Sequence, residues 1–360
     1  MRGADDRRRP HRVRGAVTGF LALEDGAVFR GESVGAEGFA LGEAVFATAM
    51  TGYQELVTDP SYEEQVICFT TPMVGNYGVD PARSESTGPH AQAVVMREAR
   101  GPAWTDWLAG KGLPALSGID TRSLVLHLRE RGSMRAAVVV GDASVEETLR
   151  VVHEQPQMTG RALVSKVSTP KTYRYSDSGS TRIAVVDYGC KRSILRRLAR
   201  AGAAVTVFPH DVDDDELARY DGVVLSNGPG DPEPLDAEVA MLRELLGRVP
   251  VLGICLGHQL LALATGMRTY KLPFGHRGAN HPVLDRRSSR VLVTSQNHGF
   301  AVEATGGEEV TAVSLYDDTV EALDWPKLRA RSAQFHPEAG PGPHDGWPLI
   351  ASWVEELRAA

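Results

Sequence analysis

The chain has 360 residues with a formal net charge of −7, and 42% of its residues are hydrophobic. This length is too great for one typical hydrophobic core and predicts two domains. The acidic balance argues against a basic surface for nucleic acid, and no apolar run approaches the roughly 20 residues needed to cross a membrane.

The amino-terminal segment, residues 1–15, is rich in arginine and lacks the apolar stretch of a secretory signal. It is predicted to be a disordered tail or the result of a misplaced start codon, with an organellar presequence as the weaker alternative. The three cysteines, Cys68, Cys190 and Cys255, show no pairing pattern. A reducing compartment is therefore favoured, and a cytoplasmic location is expected.

Residues 16–167 are predicted to form a first, smaller domain of mixed α/β type. The Asp25-Gly26 pair between two apolar runs is typical of a β-hairpin turn. Residues 168–181 are rich in Ser, Thr, Lys and Gly without an apolar period, and they predict a linker. The predicted strands are 20–23, 27–30, 44–48 and 65–69, the predicted helices are 104–108 and 121–131, and a weaker apolar pattern lies at 145–152.

Residues 182–360 are predicted to form a second domain, in which strand-like and helical patterns alternate. Such alternation predicts a mainly parallel, open sheet with helices on both faces. After Tyr270 the helical units stop and only strand patterns follow. The predicted strands are 183–186, 205–208, 223–225, 251–254, 291–294, 312–315 and 333–335, and the predicted helices are 191–201, 237–246 and 258–264.

Cys255 interrupts an apolar run, with Gly253 two residues before it and Gly257 two residues after it. A strand that enters a helix through a very sharp turn needs small neighbours, so the pattern predicts a nucleophile elbow. The following helix would direct its positive end at the sulfur. A buried core cysteine is the alternative for an isolated Cys, but two further motifs argue against it.

His336 and Glu338 belong to a His-Pro-Glu motif that follows an alternating segment. Residues two apart in an extended chain point to the same side, so Glu338 is predicted to contact one ring nitrogen of His336 while the other faces outward. An isolated His-x-Glu is more often a surface pair. Joined to the elbow, it predicts a Cys255–His336–Glu338 triad in which the imidazole takes the thiol proton.

A loop of sequence SNGPGDP, residues 226–232, follows the strand predicted at 223–225. Two glycines and two prolines predict an irregular loop whose amides are free to face a ligand, although a simple tight turn is the alternative. This loop and the elbow both follow strands, so they are expected at the same edge of a parallel sheet. The backbone N–H groups of Gly228 and Leu256 are therefore predicted to form an oxyanion hole.

Several motifs together resemble those of a known family. The second half is similar to class I, triad-type glutamine amidotransferases, and residues 46–62 and 117–122 are similar to the amino-terminal domain of carbamoyl phosphate synthetase small chains, which other amidotransferases lack. The resemblance runs from about Thr18 to the end of the chain. Its second-half motifs are NGPGDP (227–232), GICLGHQ (253–259), FGHRGANHP (274–282), SQNHGF (295–300), FHPEA (335–339) and PGPHD (341–345).

The resemblance implies a glutaminase subunit that hydrolyses L-glutamine through a cysteinyl thioester and passes ammonia to a separate large subunit. That subunit would hold ATP and Mg²⁺ and make carbamoyl phosphate from bicarbonate. This chain lacks a Walker-type loop and is expected to hold no cofactor. Whether the product serves arginine, pyrimidines or a specialised pathway is left open. The implied glutamine contacts are Ser61, Gly228, Gly230, Leu256, Gln259, Asn297, Gly299 and Phe300.

The remaining histidines are interpreted more simply. His276, His281 and His298 lack a neighbouring cysteine or carboxylate cluster at ligand spacing, so no metal is predicted. His258 and His344 are alternative candidates for the base, but His258 lies on the helix behind the elbow and is expected to pack structurally.

Two rival functions are left open by the sequence. A different amidotransferase or a free-standing glutamine hydrolase would share residues 181–360 but would not need the first domain. A non-catalytic regulatory subunit would keep the fold and lose a triad member, and none is missing here.

Overall fold

A computed structural model describes residues 18–303 and 309–359. The tail predicted at 1–15 lies outside the described residues. Within them the chain builds two sheets, a closed barrel in the first part and an open ten-stranded sheet in the second. None of the described helices is long and apolar enough to cross a membrane.

The first part contains the hairpin predicted around Asp25-Gly26 and the helix predicted at 121–131. Two three-residue strands and the strand at Met134–Val140 were not predicted. The strands are β1 (Thr18–Leu23), β2 (Val28–Ser33), β3 (Gly38–Ala47), β4 (Gln65–Phe69), β5 (Ala93–Val95), β6 (Ala115–Ser117) and β7 (Met134–Val140). The helices are α1 (Tyr53–Thr58), α2 (Pro102–Gly110), α3 (Thr121–Arg131), α4 (Val145–Glu154) and α5 (Val164–Val167).

The seven strands close in the order β1-β2-β6-β5-β4-β3-β7. Strand β4 is buried on both faces, because Val66 packs in one apolar cluster with Leu124 of α3 and Ile67 packs in another with Trp104 of α2. Strands buried on both faces lose the alternation of apolar and polar residues. The strands β5 and β6 have three residues each and are too short to show such an alternation, so no pattern predicted them.

The second part starts inside the segment predicted as a linker. Residues Tyr173–Ser176 form a strand that pairs antiparallel with Ala203–Phe208, so this segment is not structureless. The strands are β8 (Tyr173–Ser176), β9 (Thr181–Val186), β10 (Ala203–Phe208), β11 (Gly222–Leu225), β12 (Val251–Ile254), β13 (Arg268–Asp285), β14 (Arg290–Glu303), β15 (Glu309–Ser314), β16 (Val320–Trp325) and β17 (Ala330–Ala333). The helices are α6 (Arg192–Arg200), α7 (Asp214–Leu217), α8 (Asp236–Leu245), α9 (Leu256–Ala264) and α10 (Trp347–Ala359).

The open sheet has the order β14-β13-β15-β16-β17-β12-β11-β9-β10-β8. Its five central strands, β17 to β10, pair in parallel, and the flanking strands pair antiparallel. Leu242 of α8 and Leu260 of α9 pack in one core, while Leu195 of α6 and Trp353 of α10 pack in another. The α/β class with helices on both faces is confirmed, and the parallel pairing is confined to the centre of the sheet.

The antiparallel side of the sheet was predicted incompletely. Strand β13 carries Pro273, Gly275 and Gly278, residues that are typical of loops, and its pairing with β14 shifts register twice. Strand β16 was also not predicted. These two strands bring together side chains that lie far apart in the sequence.

Candidate active site

Cys255 occupies the turn between β12 and α9, with φ 54° and ψ −102°. Such a backbone is strained for a residue other than glycine, and strain of this kind occurs at nucleophile elbows. A Cβ atom at Gly253 would lie 2.6 Å from the Gly257 carbonyl oxygen, and one at Gly257 would lie 2.4 Å from that of Leu225. Only glycine fits at both positions, so the sharp turn is present. The role of Cys255 as nucleophile stays a prediction.

His336 and Glu338 are buried and in contact, with 2.7 Å between Nδ1 and Oε1. The extended geometry predicted for this pair is wrong, because β17 ends at Ala333 and the Ala339 N–H donates to the His336 carbonyl at 3.2 Å. A turn therefore brings the carboxylate to the ring. The other ring nitrogen, Nε2, makes no hydrogen bond of normal geometry within the described chain, and it is the nitrogen left for Cys255.

Lys191 is a third charged group at this pair, and the sequence did not predict it. Its Nζ donates to the same Oε1 of Glu338 at 2.8 Å, and both side chains are buried. Lys191 lies just before α6, in the loop that follows the carboxyl end of β9. The elbow follows the carboxyl end of a parallel strand, so both lie at the same end of the sheet. Position at that end was the available signal.

The charges of this group are interdependent. Burial raises the pKa of Glu338, but Lys191 and His336 together hold it well below its ordinary value. Burial lowers the pKa of His336, but Glu338 and Cys255 raise it to about 10 against the effect of Lys191. An ionised carboxylate and a protonated imidazole are thus favoured, and an imidazolium beside a thiol supports the thiolate.

The predicted oxyanion loop lies beside the elbow, because β11 and β12 are parallel neighbours. A Cβ atom at Gly228 would lie 2.2 Å from the Tyr188 carbonyl oxygen, so the loop requires glycine there. Leu256 is the first residue of α9, and its N–H has no acceptor within the helix. Ala162 forms a bridge with Gly230, which ties the loop to the end of the first part.

Most of the predicted glutamine contacts line one pocket. Leu256, His336 and Glu338 are not among its lining residues. The predicted residues that line the pocket are Ser61, Gly228, Gly230, Cys255, Gln259, Asn297, Gly299 and Phe300. The pocket is also lined by residues that were not predicted, namely Glu43, Gln65, Met158, Pro229, Arg277 and His298.

Ser61 reaches the pocket through a network that joins the two parts of the chain. Asn227 Nδ2 donates to Ser61 Oγ at 2.8 Å, and Asn297 Nδ2 donates to Asp59 Oδ2 at 3.0 Å. The other Asp59 oxygen accepts the Ser61 N–H at 2.9 Å. Asp59 is 3% exposed, and the sequence offered only its helix-capping position as a signal.

Gln334 and Gln259 form the wall next to the sulfur. Gln259 Nε2 donates to the Phe300 carbonyl at 2.9 Å and to Gln334 Oε1 at 3.1 Å. Gln334 Nε2 in turn lies 3.7 Å from Cys255 Sγ. Gln334 was not predicted, although it stands two residues before His336.

The alternative bases have other partners. His258 is fully buried, its Nδ1 lies 2.8 Å from Ser332 Oγ, and burial lowers its pKa to about 3. The His344 ring stacks on Trp347 with 3.4 Å between centroids. A neutral, buried His258 fits the expected structural role.

A histidine cluster lies beside the pocket and shares His298 with it. The potential ligand atoms of His276, His298 and Glu321 all lie within 4.8 Å of one another. The prediction of no metal rested on the lack of a cysteine or carboxylate cluster at ligand spacing in the sequence, and it stays a prediction. The fold brings a carboxylate to these histidines from a distant part of the chain. Strand β16, which was not predicted, carries Glu321 to them.

Comparison with known proteins agrees with this site. The family model for class-I glutamine amidotransferases matches residues 184–355, and the model for the carbamoyl-phosphate synthase small-chain domain matches residues 21–138. The chain is 43% identical over 365 residues to the carbamoyl phosphate synthase small chain of Syntrophotalea carbinolica, covering 94% of this chain and 97% of the relative. It is 44% identical over 367 residues to that of Xanthomonas campestris and 42% identical over 351 residues to that of Archaeoglobus fulgidus, each covering 94% of this chain and 98% of the relative. The chain therefore belongs to the carbamoyl-phosphate synthase small-chain family, and its second part is a class-I glutamine amidotransferase domain.

Proposed function

We propose that this chain is the glutaminase subunit of a carbamoyl phosphate synthetase, which hydrolyses L-glutamine at Cys255 and delivers the ammonia to a large subunit. The observation that carries the proposal is the strained Cys255 beside a pocket lined by residues from both parts of the chain. A small chain implies a large one, and the first part is the portion specific to this family.

The reaction begins with attack of the Cys255 thiolate on the side-chain amide carbon of glutamine. His336 takes the thiol proton and donates it to the departing ammonia, which leaves a thioester. Water then attacks the thioester, its proton returns through His336, and glutamate and the free thiol result. The N–H groups of Gly228 and Leu256 hold the oxyanion in both steps, a contribution of about 3 kcal/mol per donor in other enzymes.

The pocket carries charges that match a free amino acid. Glu43 and Arg277 both line it and are both buried. We assign Arg277 to the α-carboxylate and Glu43 to the α-ammonium group of glutamine. Glu43 also pairs with Lys271 Nζ at 2.6 Å, and Arg277 Nη1 donates to the Phe274 carbonyl at 2.7 Å. A glutamine residue within a protein lacks both charges of the free amino acid and would lose its contacts to Arg277 and Glu43, so the pocket favours the free amino acid.

The ammonia is consumed in the large subunit and not in this chain. The large subunit would hold ATP and Mg²⁺ and combine ammonia with bicarbonate to give carbamoyl phosphate. The first part of the chain contributes Ser61 to the pocket wall, and Asp59 accepts from the Ser61 N–H and from Asn297 Nδ2, which both belong to pocket residues. Docking of the large subunit against this part can therefore shift the pocket, and a misplacement of about 1 Å can change a rate ~100-fold.

The test is glutamate release by the full-length chain, measured alone and with the large subunit encoded in the same genome. We expect the chain alone to be slow and the large subunit to raise the rate by about 100-fold. Carbamoyl phosphate should form from glutamine only when both chains are present. Equal rates with and without the large subunit would favour the free-standing hydrolase.

A further inference from the structure

Three buried side chains beside the pocket, His276, His298 and Glu321, bring potential ligand atoms within 4.8 Å of one another. His276 Nε2 lies 2.9 Å from Asp317 Oδ2 and donates to it, so in the neutral ring Nδ1 is an acceptor, 3.9 Å from Glu321 Oε1. His298 Nδ1 lies 2.7 Å from the Phe300 carbonyl, so it must donate and leaves Nε2 as an acceptor. Glu321 Oε2 accepts from Gln296 Nε2 at 2.7 Å, and Oε1 is left over.

These three leftover atoms have no hydrogen-bond partner within the described residues. The exposed fractions of His276, His298 and Glu321 are 6%, 5% and 0%. Buried polar atoms are nearly always paired, and three acceptors cannot pair with one another. The arrangement calls for a positively charged or donating species at its centre.

We propose that His276 Nδ1, His298 Nε2 and Glu321 Oε1 bind one divalent transition-metal ion of the Zn²⁺ class. Two imidazoles and one carboxylate are a common ligand set for such ions, with water in the remaining position. Mg²⁺ and Ca²⁺ prefer sets made of oxygen atoms alone. The donor set therefore favours Zn²⁺, Co²⁺ or Ni²⁺ over the hard cations.

The surroundings of the three side chains support this assignment. Histidines that bind metals usually donate their other ring nitrogen to a carboxylate or a carbonyl, which fixes the tautomer. His276 does so to Asp317 and His298 to the Phe300 carbonyl. Gln296 orients the carboxylate of Glu321 in the same way. Each of the three side chains is thus held by a hydrogen bond through its other polar atom, and the potential ligand atoms lie within 4.8 Å of one another.

The location suggests what the ion does. His276 and His298 are opposite each other in the β13–β14 pairing, and Glu321 comes from β16. His298 lines the pocket, and the Glu321 carbonyl accepts the N–H of Gln334 at 2.8 Å. The ion would join three strands and brace the wall beside Cys255, without contacting the substrate. This inference is independent of the proposed function.

A proton is the competing occupant. Burial raises the pKa of Glu321 to about 8 although Gln296 donates to it. A neutral Glu321 can donate to one imidazole nitrogen, but the second imidazole would still lack a partner. Direct measurement of metal binding separates the two occupants.

The experiment uses the untagged full-length chain with Cys255→Ser, so that the active-site thiolate does not compete for the metal. After chelator treatment, Zn²⁺ or Co²⁺ is titrated against a chromophoric competitor. We expect one ion per chain, a rise in melting temperature on addition of Zn²⁺, and an X-ray absorption signal of two imidazole nitrogens at about 2.0–2.1 Å.

Variants then locate the ion. Glu321→Gln and His298→Gln should each weaken binding by at least about 100-fold, and Asp317→Asn by about 10- to 100-fold. The matched control is His210→Gln, because His210 contacts Glu238 at 2.8 Å in a histidine–carboxylate pair elsewhere. It should bind as the parent does. Absence of one-to-one binding in the parent, or equal binding by all variants, would overturn the proposal.

Discussion

Glu338 and Glu321 are both buried glutamates beside histidines, yet their surroundings differ in one respect. Lys191 and His336 contact Glu338 and hold its pKa well below the ordinary value. Glu321 receives only the neutral Gln296, and burial raises its pKa to about 8. Lys191 supplies a permanent cation to Glu338, whereas Glu321 Oε1 lies 3.9 Å from His276 Nδ1, which carries a charge only when that ring is protonated. Residue type and burial alone therefore do not distinguish the two glutamates, whereas their hydrogen-bond partners do.

The largest effect is expected from substitution of Cys255, the thiol that His336 and Glu338 are proposed to activate. Cys255→Ser should reduce glutamine hydrolysis by at least about 10,000-fold, because a hydroxyl is far less acidic than a thiol. Synthesis from added ammonia by the complex should survive, since that chemistry lies in the large subunit. Assay of both nitrogen donors checks this.

Cys190→Ser is the matched control for that substitution. Cys190 is half-buried, and desolvation is the largest of the causes that raise the pKa of its thiol well above the ordinary value. Its thiol is therefore not poised for attack, and the variant should retain activity. Retained hydrolysis in Cys255→Ser would show that Cys255 is not the nucleophile that His336 and Glu338 activate.

Lys191→Met removes the cation that distinguishes the two glutamates. Breaking a buried ion pair typically costs about 3–5 kcal/mol, and we expect a loss of that size in the free energy of unfolding, measured by urea denaturation. The double variant Lys191→Met with Glu338→Gln should regain part of it, because no buried charge is then left alone. Equal losses in the single and double variants would contradict the pairing.

The pH dependence gives the sign of this effect. A lowered pKa of Glu338 stabilises the fold above the ordinary value of 4.5 and loses that contribution as the pH falls below it. The deficit of Lys191→Met should therefore be greatest near neutral pH and shrink in acid. A deficit that grows in acid would show that Lys191 does not lower this pKa.

The sequence predicted what lies close together along the chain. Gly253, Cys255 and Gly257 define the elbow within five residues, and the pairing of His336 with Glu338 was predicted although its backbone geometry was not. Lys191 is 147 residues from Glu338. Their contact depends on the carboxyl ends of the parallel strands β9 and β17 lying at the same end of the sheet. Contacts of that kind follow from sheet order, which no local pattern encodes.

The histidine cluster shows the same limit more sharply. His276 and His298 face each other only because β13 and β14 pair in one register after two shifts. The proline and glycines of β13 are typical of loops, and no strand was predicted for β13 or β16. Since both strands were missed, the carboxylate that joins these histidines could not be predicted.

Glu338→Gln tests the catalytic side of the comparison. The amide keeps the size of the side chain but loses the charge that raises the pKa of His336 to about 10. We expect turnover to fall by about 100-fold with a smaller change in the KM for glutamine, because Glu338 does not line the pocket. Steady-state kinetics measure both quantities, and wild-type turnover would reduce Glu338 to a structural neighbour.

The same variant should change the titration of His336. The raised pKa means that the imidazolium stabilises the fold fully below its ordinary value of 6.5 and loses that contribution as the pH rises through about 10. In Glu338→Gln this contribution disappears, so the ring should titrate at lower pH. Nuclear magnetic resonance of the ring nitrogens measures this shift, and an unchanged titration would contradict the ion pair.

Asp59 is a third buried carboxylate, and it sharpens the comparison because its hydrogen-bond donors are neutral. Its two oxygens accept from Asn297 Nδ2 at 3.0 Å and from the Ser61 N–H at 2.9 Å. Asp59→Asn replaces one acceptor with a donor, and an unmatched buried polar group costs about 1–3 kcal/mol. We expect a loss at the lower end of that range, with a several-fold rise in KM for glutamine, because Asn297 and Ser61 both line the pocket. Asp120→Asn is the control, since Asp120 caps α3 at an exposed site and Asn caps helices equally well. If the two variants behave alike in denaturation and kinetics, then Asp59 does not join the two parts of the chain at the pocket.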